Sequence, residues 1–187
     1  MMGRIILVTG GARSGKSNYA EELAKNSGKN IMYIATAIPF DAEMKDRIKK
    51  HQESRPKEWF TYEGYKDLDI ILNEKGDNYE GVLLDCVTVM TTNNIFEYPG
   101  FDENNIEIEI LDKMQDFIQN EFKKLIDVAK QKKLTLIMVT NELGNGLVPE
   151  SALGRAFRDI AGRINQIIAK QADEVYLLVA GIPVKIK

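Results

Sequence analysis

The chain has 187 residues, of which 44% are hydrophobic and 28% charged, and its formal net charge is −3 at pH 7. This composition is that of an ordinary globular protein, and its slightly acidic balance disfavours nucleic acid as the main partner. The length predicts a single domain over residues 1–187, large enough to bury a core without a disulfide or a structural metal. The single cysteine cannot form an internal disulfide, and no stretch approaches the roughly 20 apolar residues of a membrane span. We therefore expect a cytoplasmic protein that binds no membrane.

Apolar runs and helical periodicity divide the chain into alternating elements. Strands are predicted at residues 4–9, 31–35, 81–85, 134–140 and 174–179, with short extended pieces at 59–62 and 183–186. Helices are predicted at residues 16–27, 41–54, 106–131 and 151–171. Residues 93–105 are rich in Asn, Asp, Glu and Gly and are expected to form a long loop. Continuous apolar strands that alternate with helices predict an α/β fold, a mostly parallel sheet flanked by helices.

Residues 10–17 read GGARSGKS and fit the pattern G-x-x-x-x-G-K-[ST] between a predicted strand and a predicted helix. Glycines let backbone N–H groups wrap an anion, and the helix N-terminus adds positive potential. We expect this loop to bind the phosphates of a purine nucleoside triphosphate, ATP or GTP, through Gly10, Gly11, Ala12, Arg13, Ser14, Gly15, Lys16 and Ser17. The competing interpretation is a glycine-rich turn that only caps the helix.

A phosphate loop of this kind requires a magnesium shell, which a hydroxyl in the loop and an acid on a neighbouring strand supply. The Ser17 hydroxyl and Asp85, which ends the strand at residues 81–85, are the predicted Mg²⁺ ligands. Lys16 is expected to reach the β- and γ-phosphates. An aspartate that caps a turn is the alternative for Asp85.

The only histidine, His51, lies on the predicted helix with Arg47 and Arg55 four residues to either side. This spacing places the three side chains roughly on one helix face. Two cations beside an imidazole lower its pKa and keep it neutral, as a nucleophile must be. The helix is highly charged throughout, so the spacing alone favours a solvated face.

Several segments together resemble the bifunctional adenosylcobinamide kinase / adenosylcobinamide-phosphate guanylyltransferase family of cobalamin biosynthesis. The resemblance runs nearly end to end, and its most specific part is the Arg–His–Arg-Pro–Trp segment from Arg47 to Trp59. The other matching segments are GGARSGKS at 10–17, ATA at 35–37, LDCVT at 84–88, NELG at 141–144, the 155–166 segment and AGIP at 180–183. The chain departs from the family pattern at residues 89–94, where a more apolar stretch is usual.

The resemblance implies a RecA-like P-loop NTPase fold and two reactions. The first is phosphorylation of adenosylcobinamide by ATP or GTP, and the second transfers GMP from GTP to adenosylcobinamide phosphate through a GMP–histidine intermediate. His51 matches that nucleophile, and Lys16 matches the residue that binds the nucleotide phosphates. Further GTP contacts are implied at Ala35, Thr36, Ala37, Gln52, Glu53, Ser54, Arg55, Glu63 and Asp85. The family also implies a homotrimer, for which the helix at 106–131 is a candidate interface, although a stripe facing the core is its commoner use.

Two other functions fit the same loop. A small-molecule kinase would use it without a covalent step, and His51 would then be dispensable. A RecA-like NTPase module would couple hydrolysis to a conformational change, with Glu142 as a candidate for positioning water.

Overall fold

The structure is a computed structural model that describes residues 3–39, 45, 56–103 and 105–187. Its strands are β1 (Ile5–Gly10), β2 (Ile31–Ala35), β3 (Phe60–Glu63), β4 (Gly81–Asp85), β5 (Thr135–Val139), β6 (Glu174–Val179) and β7 (Ile182–Lys185). They form one sheet in the order β3-β2-β4-β5-β1-β6-β7. All neighbouring pairs are parallel except β6 and β7, which form an antiparallel hairpin at one edge. The predicted α/β fold with a mostly parallel sheet is confirmed.

Helices cover both faces of the sheet, and the strands are apolar on both faces for that reason. The helices are α1 (Lys16–Ser27), α2 (Leu68–Lys75), α3 (Val87–Phe96), α4 (Ile108–Gln131) and α5 (Ala152–Gln171). Within β1, Ile5 and Leu7 belong to the core cluster shared with α2 to α5, whereas Ile6 and Val8 belong to the cluster that includes α1. Successive strand residues point to opposite faces, so one short run serves two cores.

The longest described helix, α4, uses its apolar stripe within the protein. Met114, Ile118, Phe122, Leu125 and Ala129 are each fully buried. Their spacing of three or four residues puts them on one side of the helix, which packs against α2 and α5. This stripe is therefore part of the core. No described helix is both long enough and apolar enough to cross a membrane.

Most predicted element bounds agree with the structure within two residues, with one clear error. The predicted loop at 93–105 is wrong at its start, because α3 continues to Phe96. Asn93 and Asn94 are helical and nearly fully buried, and their amide groups donate to the carbonyls of Thr36 and of Met90 and Tyr65. Polar composition favours solvent exposure, but these side chains form hydrogen bonds within the protein.

Two described helices, α2 and α3, had no counterpart in the sequence prediction, and the antiparallel direction of β7 was also not predicted. The predicted helix at 41–54 lies outside the described residues except for Lys45, which is helical and exposed.

Candidate active site

The carboxyl ends of the parallel strands meet at one edge of the sheet and carry most of the predicted site. Ala35, at the end of β2, pairs with Glu63 of β3 on one side and with Asp85 of β4 on the other. The phosphate loop follows β1, four strand positions from β3 and three from β2. At about 4.8 Å between strands, Glu63 is therefore roughly 19 Å across the sheet from the start of the loop.

The loop from Gly10 to Ser17 has the strained backbone that such a cradle requires. Gly15 has φ of 93° and ends the loop as the N-cap of α1, and Arg13 has φ of 57°. A Cβ at Gly10 would lie 2.7 Å from the Leu178 carbonyl oxygen and 2.7 Å from the Ser14 hydroxyl. The N-cap residue Gly15 has no side chain to cap the first turn of α1, which also contains no acidic residue. The N–H groups of this turn therefore meet no negative side chain of their own helix, an arrangement that favours an anionic ligand.

Lys16 is unusual because its ammonium group is largely enclosed. The residue is 8% exposed, and its Nζ donates to the Gly11 carbonyl oxygen at 2.5 Å. Burial lowers the pKa of Lys16, and the opposing influence of the nearby Asp85 carboxylate only partly offsets this. A desolvated cation gains more from a bound phosphate than a solvated one, because the surrounding dielectric is lower.

The two predicted magnesium ligands lie on neighbouring elements. Helix α1, which carries Ser17 in its first turn, packs against β4, and Asp85 is the last residue of β4. The Tyr33 hydroxyl donates to Asp85 Oδ2 at 2.8 Å and orients the carboxylate. A hydroxyl and a carboxylate are hard oxygen donors, the kind that Mg²⁺ prefers. The residues present therefore fit a magnesium ion whose remaining ligands are water molecules and phosphate oxygens.

A compact hydrogen-bond network joins the ends of β2 and β4. The Thr36 hydroxyl accepts from Cys86 N at 2.8 Å and donates to Cys86 O at 2.9 Å. Thr36 N donates to Asp85 O at 3.1 Å, and Asn93 Nδ2 donates to Thr36 O at 2.8 Å. The hydroxyl, the backbone N–H and the carbonyl of Thr36 are thus all engaged within the protein, and the residue is 1% exposed.

Cys86 lies beside this network and caps α3. Its Sγ accepts from Val89 N at 3.5 Å. Burial, followed by the nearby Asp85 carboxylate, raises the pKa of the Cys86 thiol to about 12. The thiol is therefore protonated at neutral pH and is a poor nucleophile.

A second polar network, which the sequence analysis did not identify, lies at the end of β5. Thr140 Oγ1 donates to Asn165 Oδ1 at 2.7 Å, and Asn165 Nδ2 donates to Asn141 O at 3.2 Å. The Thr88 hydroxyl accepts from Asn141 N at 2.8 Å. These contacts link α3, β5 and α5. The sequence feature that could have predicted this network is the run of polar residues directly after a buried strand.

Glu142 follows this network and lies beside the phosphate loop. Its N donates to Gly10 O at 3.0 Å, and its Oε1 accepts from Gly144 N at 2.8 Å. The carboxylate is therefore held in position next to the loop. Its proposed role in positioning water stays a prediction.

Among the residues that the structure describes, one further cluster of acidic side chains lies close enough together to ligate a metal ion. It consists of Asp67, Asp69 and Glu121. Lys124 already supplies a cation there, with its Nζ 2.5 Å from Glu121 Oε1, 3.5 Å from Asp67 and 3.6 Å from Asp69. Glu121 also accepts from Asp67 N at 2.8 Å. This cluster joins α2 to α4 and is structural.

The structure places the loop residues 10–17, residues 35–37, Glu63 and Asp85 along the same carboxyl-terminal edge of the sheet, with Glu63 roughly 19 Å from the start of the loop. His51 lies outside the described residues, as do Gln52, Glu53, Ser54 and Arg55. Their predicted roles stay predictions.

Comparison with known proteins identifies relatives over the whole chain. The sequence model of a family described as cobinamide kinase / cobinamide phosphate guanyltransferase matches residues 6–186. The chain is 47% identical over 183 residues to the bifunctional adenosylcobalamin biosynthesis protein CobU of Escherichia coli K12, covering 98% of this chain and 99% of that protein. The protein of the same name from Salmonella typhimurium is 45% identical, with the same coverage of 98% and 99%. The bifunctional adenosylcobalamin biosynthesis protein CobP of Pseudomonas aeruginosa is 36% identical, covering 97% of this chain and 96% of that protein.

Proposed function

Since the chain belongs to the cobinamide kinase / cobinamide phosphate guanyltransferase family, we propose that it catalyses two successive transfers at one sheet edge. It phosphorylates adenosylcobinamide with ATP or GTP, and it then transfers GMP from GTP to adenosylcobinamide phosphate, giving adenosylcobinamide-GDP. The observation that carries this proposal is the family match over residues 6–186.

In the kinase step, the aminopropanol hydroxyl oxygen of the acceptor attacks the γ-phosphorus. The bond from that phosphorus to the bridging oxygen breaks, a nucleoside diphosphate leaves, and the hydroxyl proton is released. The loop N–H groups and Lys16 hold the phosphates and stabilise the charge that builds up on them. Ser17 and Asp85 would hold Mg²⁺, which supplies Lewis-acid stabilisation of the phosphate oxygens when bound.

In the second reaction, the His51 imidazole attacks the α-phosphorus of GTP and pyrophosphate leaves. The phosphate oxygen of adenosylcobinamide phosphate then attacks the same phosphorus, and the N–P bond breaks to restore the imidazole. A covalent intermediate divides one difficult displacement into two easier ones. Residues 35–37, Glu63 and the segment Gln52 to Arg55 are proposed to contact this GTP.

A homotrimeric assembly and a cytoplasmic location complete the proposal. The trimer is implied by the resemblance, and the location is inferred from the single cysteine. Sedimentation of the purified protein would test the trimer.

The test is covalent labelling with GTP that carries the label on its α-phosphate, in the presence of Mg²⁺. We expect wild-type protein to acquire an acid-labile, base-stable label, because a phosphoramidate has these stabilities. His51→Ala should acquire none. The matched control is Lys45→Ala, an exposed residue six positions earlier in the chain, which should label like wild type.

Two outcomes would contradict parts of the proposal. Phosphorylation of cobinamide without protein labelling would leave a kinase that lacks the covalent step. The absence of both reactions in wild-type protein would favour the alternative of an NTPase module.

A further inference from the structure

An open cleft of about 440 Å³ lies directly beside the phosphate loop, on the side of β1 that faces β6. Residues of the loop, including Arg13 and Ser14, form one wall, and the end of β6 with Val179 and Ala180 forms another. Glu142 and Asn145 line the remaining side. The volume lies within the range of small-ligand pockets, roughly 300–1,000 Å³.

The position of the cleft indicates what it can hold. Because loop residues 11–14 line it, a ligand with its phosphates in the loop continues into the cleft without a break. The cleft lining carries one cation, Arg13, and one carboxylate, Glu142, so its formal charges balance, and the carboxylate can accept hydrogen bonds from hydroxyl or amino groups. The β6 wall offers the aliphatic surface against which a flat aromatic base packs. A nucleoside, which is uncharged and carries both hydroxyls and a base, satisfies all of these conditions.

The β6 side of the loop is also fixed in place. Gly181 N donates to Ser14 O at 2.9 Å, and Glu142 N donates to Gly10 O at 3.0 Å. Leu178 pairs with Gly10 in the sheet. The walls of the cleft therefore keep their position relative to the phosphate cradle, as a specific subsite requires.

Of the GTP contacts that the resemblance implies outside the loop, those in the described residues lie on the opposite side of the loop. Ala35 and Glu63 end β2 and β3, roughly 14 and 19 Å across the sheet from β1. A nucleoside bound near Glu63 leaves the β6 cleft open, and one bound in the cleft leaves the β2 and β3 ends open.

We propose that the β6 cleft holds the nucleoside of the triphosphate that donates its γ-phosphoryl group in the kinase step. The phosphate loop then serves two nucleotides whose nucleosides lie on opposite sides of it, one in the cleft and one over β2 and β3. This inference rests on the proposed function and assigns a separate nucleoside subsite to each of its reactions.

The variant Val179→Trp tests this by filling the cleft from a side chain that is 55% exposed. We expect the KM for ATP in cobinamide phosphorylation to rise at least about tenfold, which corresponds to roughly 1.4 kcal/mol of lost binding. Labelling of the protein by α-labelled GTP should stay within about twofold of wild type. The matched control is Ile186→Trp, 59% exposed at the far end of the same hairpin, which should change neither.

A photoreactive azido-ATP gives a second readout that does not depend on turnover. We expect crosslinks in peptides that contain residues 174–187 or Glu142 and Asn145, and Val179→Trp should abolish them. Equal loss of both reactions in Val179→Trp with an unchanged melting temperature, or crosslinks confined to the β2 and β3 ends, would overturn the proposal. Wild-type protein that crosslinks at the cleft but does not phosphorylate cobinamide would contradict the proposed function and leave the nucleoside subsite standing.

Discussion

On the β2–β4 side of the phosphate loop, hydrogen bonds tie the strand ends together, whereas on the β6 side two backbone hydrogen bonds hold an open cleft. Thr36 makes three of the bonds on the first side, to Cys86 N, Cys86 O and Asp85 O. On the second side the bonds come from Gly181 and Glu142, and the neighbouring Val179 is more than half exposed.

This difference corresponds to two tasks. Groups that act on a reacting phosphorus must be held to within a fraction of an ångström, and a dense polar network does so. A subsite for a nucleoside needs a fixed wall and open space. Lys16 and the phosphate loop lie between the two sides, so substitutions in the loop should affect both reactions. Substitutions on only one side of the loop should affect only one reaction.

The largest effect is expected from Lys16→Ala. Removing the cation shared by both nucleotides should lower kcat of the kinase and of the guanylyl transfer by about 10³-fold or more, as for loss of a group that stabilises charge in the transition state. Lys25→Ala, exposed in the last turn of the same helix, is the control. Steady-state rates of both reactions measure this, and a loss confined to one reaction would argue against a shared cradle.

Asp85→Asn should weaken the binding of Mg²⁺ by more than about 100-fold, since it removes a proposed ligand. Tyr33→Phe removes only the hydroxyl that donates to Asp85 and should cost about tenfold. Binding of Mn²⁺, followed by electron paramagnetic resonance, reports on the site without turnover. Asp77→Asn, whose carboxylate is 76% exposed, should leave binding unchanged. Unaltered Mn²⁺ binding in Asp85→Asn would exclude this carboxylate as a ligand.

Thr36→Val tests the polar network directly. It leaves the backbone N–H of Cys86 without its acceptor and should reduce the free energy of unfolding by about 1–3 kcal/mol. Protein labelling by GTP should fall more than cobinamide phosphorylation, because the network lies on the β2–β4 side. Urea denaturation gives the stability, and Thr61→Val on the exposed face of β3 is the control. Equal loss of the two activities would show that the network supports the whole edge.

The smallest effect on activity is expected from Lys124→Met, far from the loop. It leaves the buried Glu121 carboxylate without its cation and should cost about 2 kcal/mol, less than for a fully buried pair because the Lys124 side chain is 34% exposed. Its exposed neighbour, Lys123→Met, should have little effect.

The same ion pair predicts a pH dependence of stability. The hydrogen bond to Glu121 raises the pKa of Lys124 above 10.5. Between neutral pH and about pH 10.5 the pair therefore contributes its full stability, and it loses this stability as pH rises through the folded-state pKa of Lys124. Unfolding curves between neutral and alkaline pH should show the loss in wild type but not in Lys124→Met. Parallel curves would mean that the pair contributes nothing.

The sequence by itself determined the parts of the molecule that depend on local pattern. The phosphate loop, helix α1 and strands β2, β4 and β6 were predicted because apolar runs, helical periodicity and glycine spacing act over a few residues. The acid at the end of β4 was predicted for the same reason, and the family followed from residues spread over the whole chain.

The tertiary structure alone decided how distant segments meet. No local signal shows that Thr36 contacts Cys86, that Asn93 contacts Thr36, or that Thr140 reaches Asn165, because each pair is 25 or more residues apart in the chain. The cleft depends likewise on β6 lying next to β1, although the two are separated by more than 160 residues. Sequence pattern specifies which groups are polar or apolar along each element, but the packing of the sheet decides which of them become neighbours.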